Sequence, residues 1–381
     1  MEREWIIQPL DTLFFRGGLP FSAGETGWVE SFFPPTPQTI QGLVRYVLLR
    51  TTGACDAKDI FSCEPCSKRD SCRVKQVIGS VGTDVDIPDF GTLKITGPCL
   101  GFKGKRYFPV PLDLMRRNGS LFSLRPSPTI TESDVGDLRM PARPEGILQE
   151  GTDSIHGWIE EDVMIRYLND NIPPDDRLIL SDDSFFVKEP RVGIKRDVRT
   201  HSVETGMLYA IVPLRFRDDV DIRFRVSNVP AECEPSTPVV TRFGGEGRTV
   251  SLNIVDYNGP DLPRTSERLI KLVMLQPGCF SGWCLPDFTP VKNSTGRVTH
   301  WSGRIDGVNL KLVSACTGRA SKIGGFDAVR KRVKAMRNHV PAGSVYFLEA
   351  EAGEDLSKLA PEGTIGSNNN IGFGHYRFGR W

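Results

Sequence analysis

The stretches EWIIQPLDTLFF (Glu4–Phe15) and TPQTIQGLVRYVLL (Thr36–Leu49) decide how the chain begins to fold. In the first, Trp5, Ile6, Ile7, Leu10, Leu13, Phe14 and Phe15 put apolar side chains on both faces, which predicts a buried strand. In the second, Thr36 stands where an N-cap is needed and Pro37 where a first helical residue needs no N–H donor. Ile40, Leu43, Val44, Val47 and Leu48 follow at i, i+3, i+4, i+7 and i+8, the buried stripe of an amphipathic helix. The glycine-rich RGGLPFSAGETG (Arg16–Gly27) and a run of prolines separate them, so the opening is a strand, a loop, a turn and a helix, the first step of an α+β domain.

Working outward, residues 53–76 break this pattern with a polar, cysteine-rich insert that has no hydrophobic period. Extended runs resume at Leu93–Thr96 and Tyr107–Leu112, and Ile159–Leu168 reads as a short helix. Further strands are expected at Phe185–Ile194, Met207–Phe216, Asp221–Val226, Leu269–Leu275, Val308–Val313 and Gly343–Glu349, broken by Gly, Pro and Asp turns. Both halves hold a strand, a helix and later strands. The expected division is therefore an N-terminal α+β unit over 1–200, carrying the 53–76 insert, and a C-terminal unit over 201–381.

At 381 residues the chain has room for two such cores. Lys plus Arg (48) balances Asp plus Glu (47), so any nucleic-acid site must arise from local segregation of charge. The opening MEREWIIQPL has no basic start or long apolar core of a signal peptide, and no run reaches the ~20 apolar residues of a membrane helix. A cytoplasmic protein is expected. There, nine cysteines are not a disulfide framework, and clustered ones point to metal.

The cluster is Cys55, Cys63, Cys66 and Cys72, spaced C-x7-C-x2-C-x5-C in a segment without a core of its own. Four thiolates of this kind suit a structural tetrahedral Zn²⁺, and the same set suits an iron–sulfur cluster. Charge is segregated between Arg319 and Arg337, where seven basic residues, among them Lys322, Arg330 and Arg332, face the single acid Asp327. That asymmetry is the footprint of a phosphate-contacting surface, although a solvated charge run reads the same way. RVGIKRDVR (Arg191–Arg199) is a smaller instance, and RFGGEGR (Arg242–Arg248) is a glycine turn between arginines. The tail from Gly363 to Gly374 carries glycines and three asparagines, then Phe373, His375, Tyr376 and Arg377. Its glycines let a main chain approach phosphate, and its aromatics offer faces for a splayed base; a flexible hairpin loop or core packing would look the same. The five histidines are scattered, and neither a nucleophile motif nor a phosphate-binding or dinucleotide loop occurs. No enzymatic activity is expected.

Together these segments resemble a known family. DTLFFRGGLPF (Asp11–Phe21), FPPTPQTIQGLVR (Phe33–Arg45), HGWI (His156–Ile159), RVGIKRD with TGMLY downstream (Arg191–Tyr209), RFGGEGR, VPAGSVYF (Val340–Phe347) and the terminal GFG are similar, in this order, to the third subunit of the type III-B CRISPR (Cmr) effector complex, a member of the RAMP superfamily. The resemblance implies two ferredoxin-like (RRM-type) domains with long insertions and no nuclease activity. It implies that the chain holds the repeat-derived 5′ tag of the crRNA and touches the large polymerase/cyclase-like subunit and a backbone RAMP subunit. Carried over by position, it points to Arg16, Gly17 and Gly18, to Arg191, Lys195 and His201, to Arg242 and Arg248, and to Gly372 and Gly374 with Arg377 beside them. The cysteine insert departs from the family's core pattern. The equivalent type III-A subunit shares fold and role. A guide-RNA-processing RAMP endoribonuclease shares the fold but usually has an early catalytic histidine, and here none precedes His156.

Overall fold

The computed structural model describes residues 2–17, 28–52, 63, 66–68, 70–80, 89–133, 135–147, 149–197, 199–200, 202–327 and 332–381. The side chains of 195 and 203–209 lie outside that description. The described chain is α+β, dominated by strands. It forms two compact units: Met1–Gly104, Asp183–Tyr257 and Lys322–Arg337 make the first, and Lys105–Asp182, Asn258–Ser321 and Asn338–Trp381 the second. Where the sequence suggests two consecutive halves, the contacts group three separated segments into each unit, because strands distant in sequence pair side by side.

In the first unit an antiparallel sheet runs in the order Lys94–Phe102, Val220–Ser227, Arg3–Pro9, Thr249–Asp256, Val239–Arg242. Arg3–Pro9 is central because alternate residues Trp5 and Ile7 are wholly buried, against Phe224, Ile222, Leu252 and Ile254. Leu10, expected in the core, is 59% exposed, since regular pairing stops at Pro9, whose nitrogen has no hydrogen to donate. The predicted helix is present as α1, Pro37–Thr51, and the Thr36 hydroxyl accepts from the Thr39 amide at 3.4 Å. Ile40, Leu43, Val44, Val47 and Leu48 are all buried, and each contributes about 1.5–3 kcal/mol as an upper estimate. Arg45, on the same helix, is half-buried and donates to the carbonyls of Ile78 (2.6 Å) and Asp89 (2.6 Å), tying α1 to the end of α2, Arg73–Ile78.

A three-stranded sheet in this unit joins Arg191–Arg196, Val203–Val212 and Trp28–Glu30. The strand Ser321–Asp327 pairs with Arg332–His339 as a two-stranded ribbon.

The second unit is built on a seven-stranded antiparallel sheet in the order Thr289–Lys292, Val298–Ile305, Val308–Cys316, Val345–Ala350, Leu269–Met274, His375–Arg380, Glu362–Thr364. Ile270, Leu272, Leu310, Leu312, Tyr346, Leu348 and Phe378 fill one face. Helix α3, Glu161–Leu168, lies on the His375–Arg380 strand, and Gly379 permits it: a Cβ there would sit 2.6 Å from the Leu168 carbonyl oxygen. Acids at Glu161 and Asp162 suit the positive first turn of α3. Beneath the same sheet Lys271 is 1% exposed, with Nζ 3.5 Å from the Tyr167 ring centroid. The Tyr167 hydroxyl donates to Asp113 Oδ1 at 2.7 Å. Burial pushes Lys271 down to about 8, with the Asp113 carboxylate acting against the shift. Among the described residues no helix is long and apolar enough to cross a membrane.

Candidate nucleic-acid interface

The segment leaving the first strand, Asp11–Gly17, is where the predicted basic loops of the first unit meet. Leu13 and Leu214 exchange backbone hydrogen bonds at 2.8 Å, which anchors the segment beside the strand that follows Arg191–Arg196 and its partner. The Arg242–Arg248 turn folds onto the other side. The Gly245 amide donates to the Phe14 carbonyl at 2.7 Å, and the Phe15 and Phe243 rings meet edge to face at 5.3 Å. Gly244 has φ +77°, and a Cβ on it would lie 2.6 Å from the Phe14 oxygen, so the turn can dock this closely only with glycine there.

Side chains follow the backbone. Arg248 donates to Asp11 Oδ2 at 2.8 Å, and Arg191 lies 3.9 Å from Asp11 Oδ1 and 2.6 Å from Glu189. Glu189 also holds Arg215. The Thr12 amide, and after it Arg248 and Arg191, keep Asp11 below the usual carboxylate range; Arg215 and Arg191 do the same for Glu189. Arg242 is exposed and has no carboxylate partner among the described residues. Arg16 is exposed with its guanidinium carbon 5.9 Å from the Phe326 ring centroid, and Gly17 has open space where a side chain would stand. Lys322 and Arg332 are exposed on the ribbon that carries Phe326. Gly18, His201, Arg330 and the Lys195 side chain lie outside the described residues.

The tail behaves differently from its sequence expectation. Gly372 (φ +109°) and Gly374 (φ +66°) are buried, and a Cβ on Gly374 would lie 1.8 Å from the Ile365 carbonyl oxygen. These glycines allow close packing of the chain on itself rather than an open loop. Phe373 and Tyr376, considered as stacking surfaces, are 0% and 3% exposed and belong to the core of the second unit. Arg377 is 1% exposed; it donates to Glu161 at 2.6 Å and to Glu362 at 3.2 Å and lies 4.8 Å from the Phe108 centroid. Its charge serves an internal ion pair, with Arg106 holding the second oxygen of Glu161 at 3.1 Å.

Of the cysteine insert, Cys63 is buried and the Cys66 amide donates to the Cys63 carbonyl at 3.3 Å, while Cys72 stands at the N-cap position of α2 without a side-chain capping hydrogen bond. Cys55 lies outside the described residues. Among the described residues no group of three or more His, Cys, Asp or Glu is gathered around a common metal position.

Asp11, Glu189 and Phe326 were not singled out by sequence reasoning. Asp11 and Arg248 are 237 positions apart, and no local period links residues at that separation. The charge run around Phe326 was the only signal that pointed to its neighbourhood.

Residues 5–381 match the family model Cas_Cmr3, described as a CRISPR-associated protein. Among solved structures, a chain of the type III-B Cmr-beta complex bound to cognate target RNA and AMPPnP is similar, at 16% identity over 90% of this chain and 86% of that one, with a TM-score of 0.50. The same complex bound to cognate target RNA gives a TM-score of 0.48 at 16% identity, again over 90% and 86% of the two chains. A Csm3–Csm4 subcomplex of a type III-A complex gives 0.38 at 11% identity, over 91% and 94%. No curated protein matches the chain. At 16% identity, the likeness to the first of these shows a shared fold and nothing finer.

Proposed function

The chain belongs to the Cas_Cmr3 family of Cmr-type CRISPR-associated proteins, and on that premise we propose that it is the non-catalytic subunit that holds the repeat-derived 5′ tag of the crRNA in a type III-B effector. The observation that carries this reading is the meeting of separate basic loops on one segment. Arg191 and Arg248 meet Asp11, the turn that carries Arg242 docks on Phe14, and Arg16 and Gly17 end the same segment, with Gly17 leaving room for a backbone to come close. Backbone contacts from arginines and open glycines, with little base reading, suit a single strand of RNA.

Each unit is read as a ferredoxin-like domain elaborated by insertions, a reading supported by antiparallel sheets with a helix laid on one face. The absence of catalysis is supported by the use of His339 and His375 as buried groups: His339 packs on Phe373 at 5.0 Å, and His375 lies 3.4 Å from Glu362. The partners are the crRNA, the large polymerase/cyclase-like subunit and a backbone RAMP subunit of the effector. Cys55, Cys63, Cys66 and Cys72 are the four thiolates that would hold a structural zinc. Metal analysis of the purified chain that finds iron in place of zinc would assign an iron–sulfur cluster, and finding neither would remove the metal.

The test of the main reading is to purify the tagged chain gently from its host and sequence the RNA that accompanies it. Short RNAs sharing one repeat-derived 5′ end are expected. Random fragments, or cleavage of repeat RNA by the chain alone, would overturn it, and cleavage would favour the processing endoribonuclease.

A further inference from the structure

We propose that Phe326, with the Arg16 guanidinium over it, is a stacking seat for one unpaired base of the bound RNA; this rests on the RNA-binding reading above. Phe326 is 52% exposed, although an aromatic side chain of this size gains most from burial. It sits on the ribbon Ser321–Asp327, where residues alternate between two faces. Ile323 and Asp327 are buried, and a Cβ on Gly325 would stand 2.9 Å from Gln38 Oε1 and 3.6 Å from Lys334 Cδ, so this face packs inward on α1. Lys322, Gly324 and Phe326 therefore share the outward face. On the partner strand the inward Lys334 leaves Val333, Ala335 and Arg337 outward, and Val333 is 43% exposed.

The outward face thus carries Phe326 and Val333 between Lys322 and Arg337, with no carboxylate among its described residues. Arg16 reaches it from the Asp11–Gly17 segment and stacks on the ring at 5.9 Å. A protein partner docking through its apolar surface would gain nothing from this ring of cations. A polyanion with flat, apolar faces gains from every part: the cations take phosphates, the phenyl takes a base, and a guanidinium plane stacks equally well on a ring or a base. Because Phe326 is already half in solvent, its removal does not open a cavity, and a folding defect does not obscure the result.

The experiment measures binding of the full chain to fluorescein-labelled single-stranded oligoadenylate and to an abasic strand of equal length, by anisotropy. Phe326→Ala is expected to weaken oligoadenylate binding about five- to 150-fold and to leave the abasic strand unaffected. Phe326→Trp is expected to retain binding, and its indole fluorescence to be quenched when oligoadenylate is added. Equal binding by wild type and Phe326→Ala, or equal weakening for both strands, overturns the stacking seat while the RNA-binding reading stands. Loss of a protein subunit from complexes purified with Phe326→Ala, with oligoadenylate binding unchanged, would make Phe326 a protein contact instead. If the wild-type chain binds neither strand, the underlying RNA-binding reading fails, and the stacking seat with it.

Discussion

Asp11 Oδ2 accepts a hydrogen bond from Arg248 at 2.8 Å, and Asp11 Oδ1 lies 3.9 Å from Arg191, so one half-exposed carboxylate of the first segment stands between two arginines of the distant Asp183–Tyr257 segment. The carboxylate holds both guanidinium groups in place while the face is empty, and it opposes the approach of phosphate. Replacing it by a neutral isostere separates the two effects. Asp11→Asn is expected to tighten single-stranded RNA binding about two- to fivefold at low salt, with a steeper dependence on salt concentration. Its stability cost should stay below about 1 kcal/mol, because the pair is partly solvated. Weaker binding in a salt titration would show that orienting Arg248 matters more than repelling phosphate.

Arg242 is exposed on the same turn and has no acid beside it among the described residues. Arg242→Gln should lower the slope of log K against log salt by about 0.7, the value for one phosphate on a single strand. The melting temperature should not change measurably, since nothing packs on the side chain's charge.

Arg377 faces the opposite expectation. With Glu161 and Glu362 both bound to it in the buried part of the second unit, Arg377→Met leaves Glu161 with Arg106 alone. A loss of about 3–5 kcal/mol is expected in urea denaturation of the full chain. Arg377→Lys should restore little, because one ammonium cannot span two carboxylates as a guanidinium does.

Gly374 combines a φ of +66° with a carbonyl oxygen 1.8 Å from where a Cβ would stand. Gly374→Ala is expected to destabilise the chain by more than about 1 kcal/mol by the same urea measurement. Gly17→Ala, in open space, should leave stability unchanged and register only in RNA binding.

Lys271 makes stability depend on pH. Its folded pKa is about 8, whereas the unfolded side chain titrates near its ordinary value of ~10.4. Between these values the unfolded chain holds a proton that the folded chain lacks, so stability is flat below the window and rises with pH through it, by at most ~3 kcal/mol. Cys284, Cys316 and Cys233, whose thiols burial holds above their ordinary value, work against the rise from about pH 9, and Tyr167, raised well above its ordinary value by burial, joins them above about pH 10. The Lys271 contribution is read as a difference: across a series of alkaline pH values the stability of wild type relative to Lys271→Met should grow through this window, and a constant difference would overturn it.

Much of the local structure was legible in the residues. Thr36, Pro37 and the Ile40–Leu48 stripe specify α1 through contacts within a few positions, and each behaves as the pattern requires. The basic loops were legible as chemistry for the same reason: Arg242 and Arg248 flank their own glycines. The tail misled because glycine, asparagine and an aromatic–basic run look alike in an open loop and in a tightly packed strand end. What separates them is the Ile365 carbonyl against Gly374 and the carboxylates around Arg377, and these neighbours are not adjacent in sequence.

By itself the sequence determined the α+β class, the first helix and its cap, the placement of several of the central strands, the clustering of basic residues and, through ordered motifs over nearly the whole chain, the family. Tertiary structure alone decided that each unit is assembled from three separated segments. It also decided that Asp11 meets Arg248 and Arg191, that Arg377 is internal, and that Phe326 stands exposed beneath Arg16. The physical reason is range. Helical periods, caps and turns are set by neighbours a few residues away and are written in the order of the chain. Strand pairing, charge pairing and exposure depend on which distant segments come to lie side by side, and only the folded backbone brings those segments together.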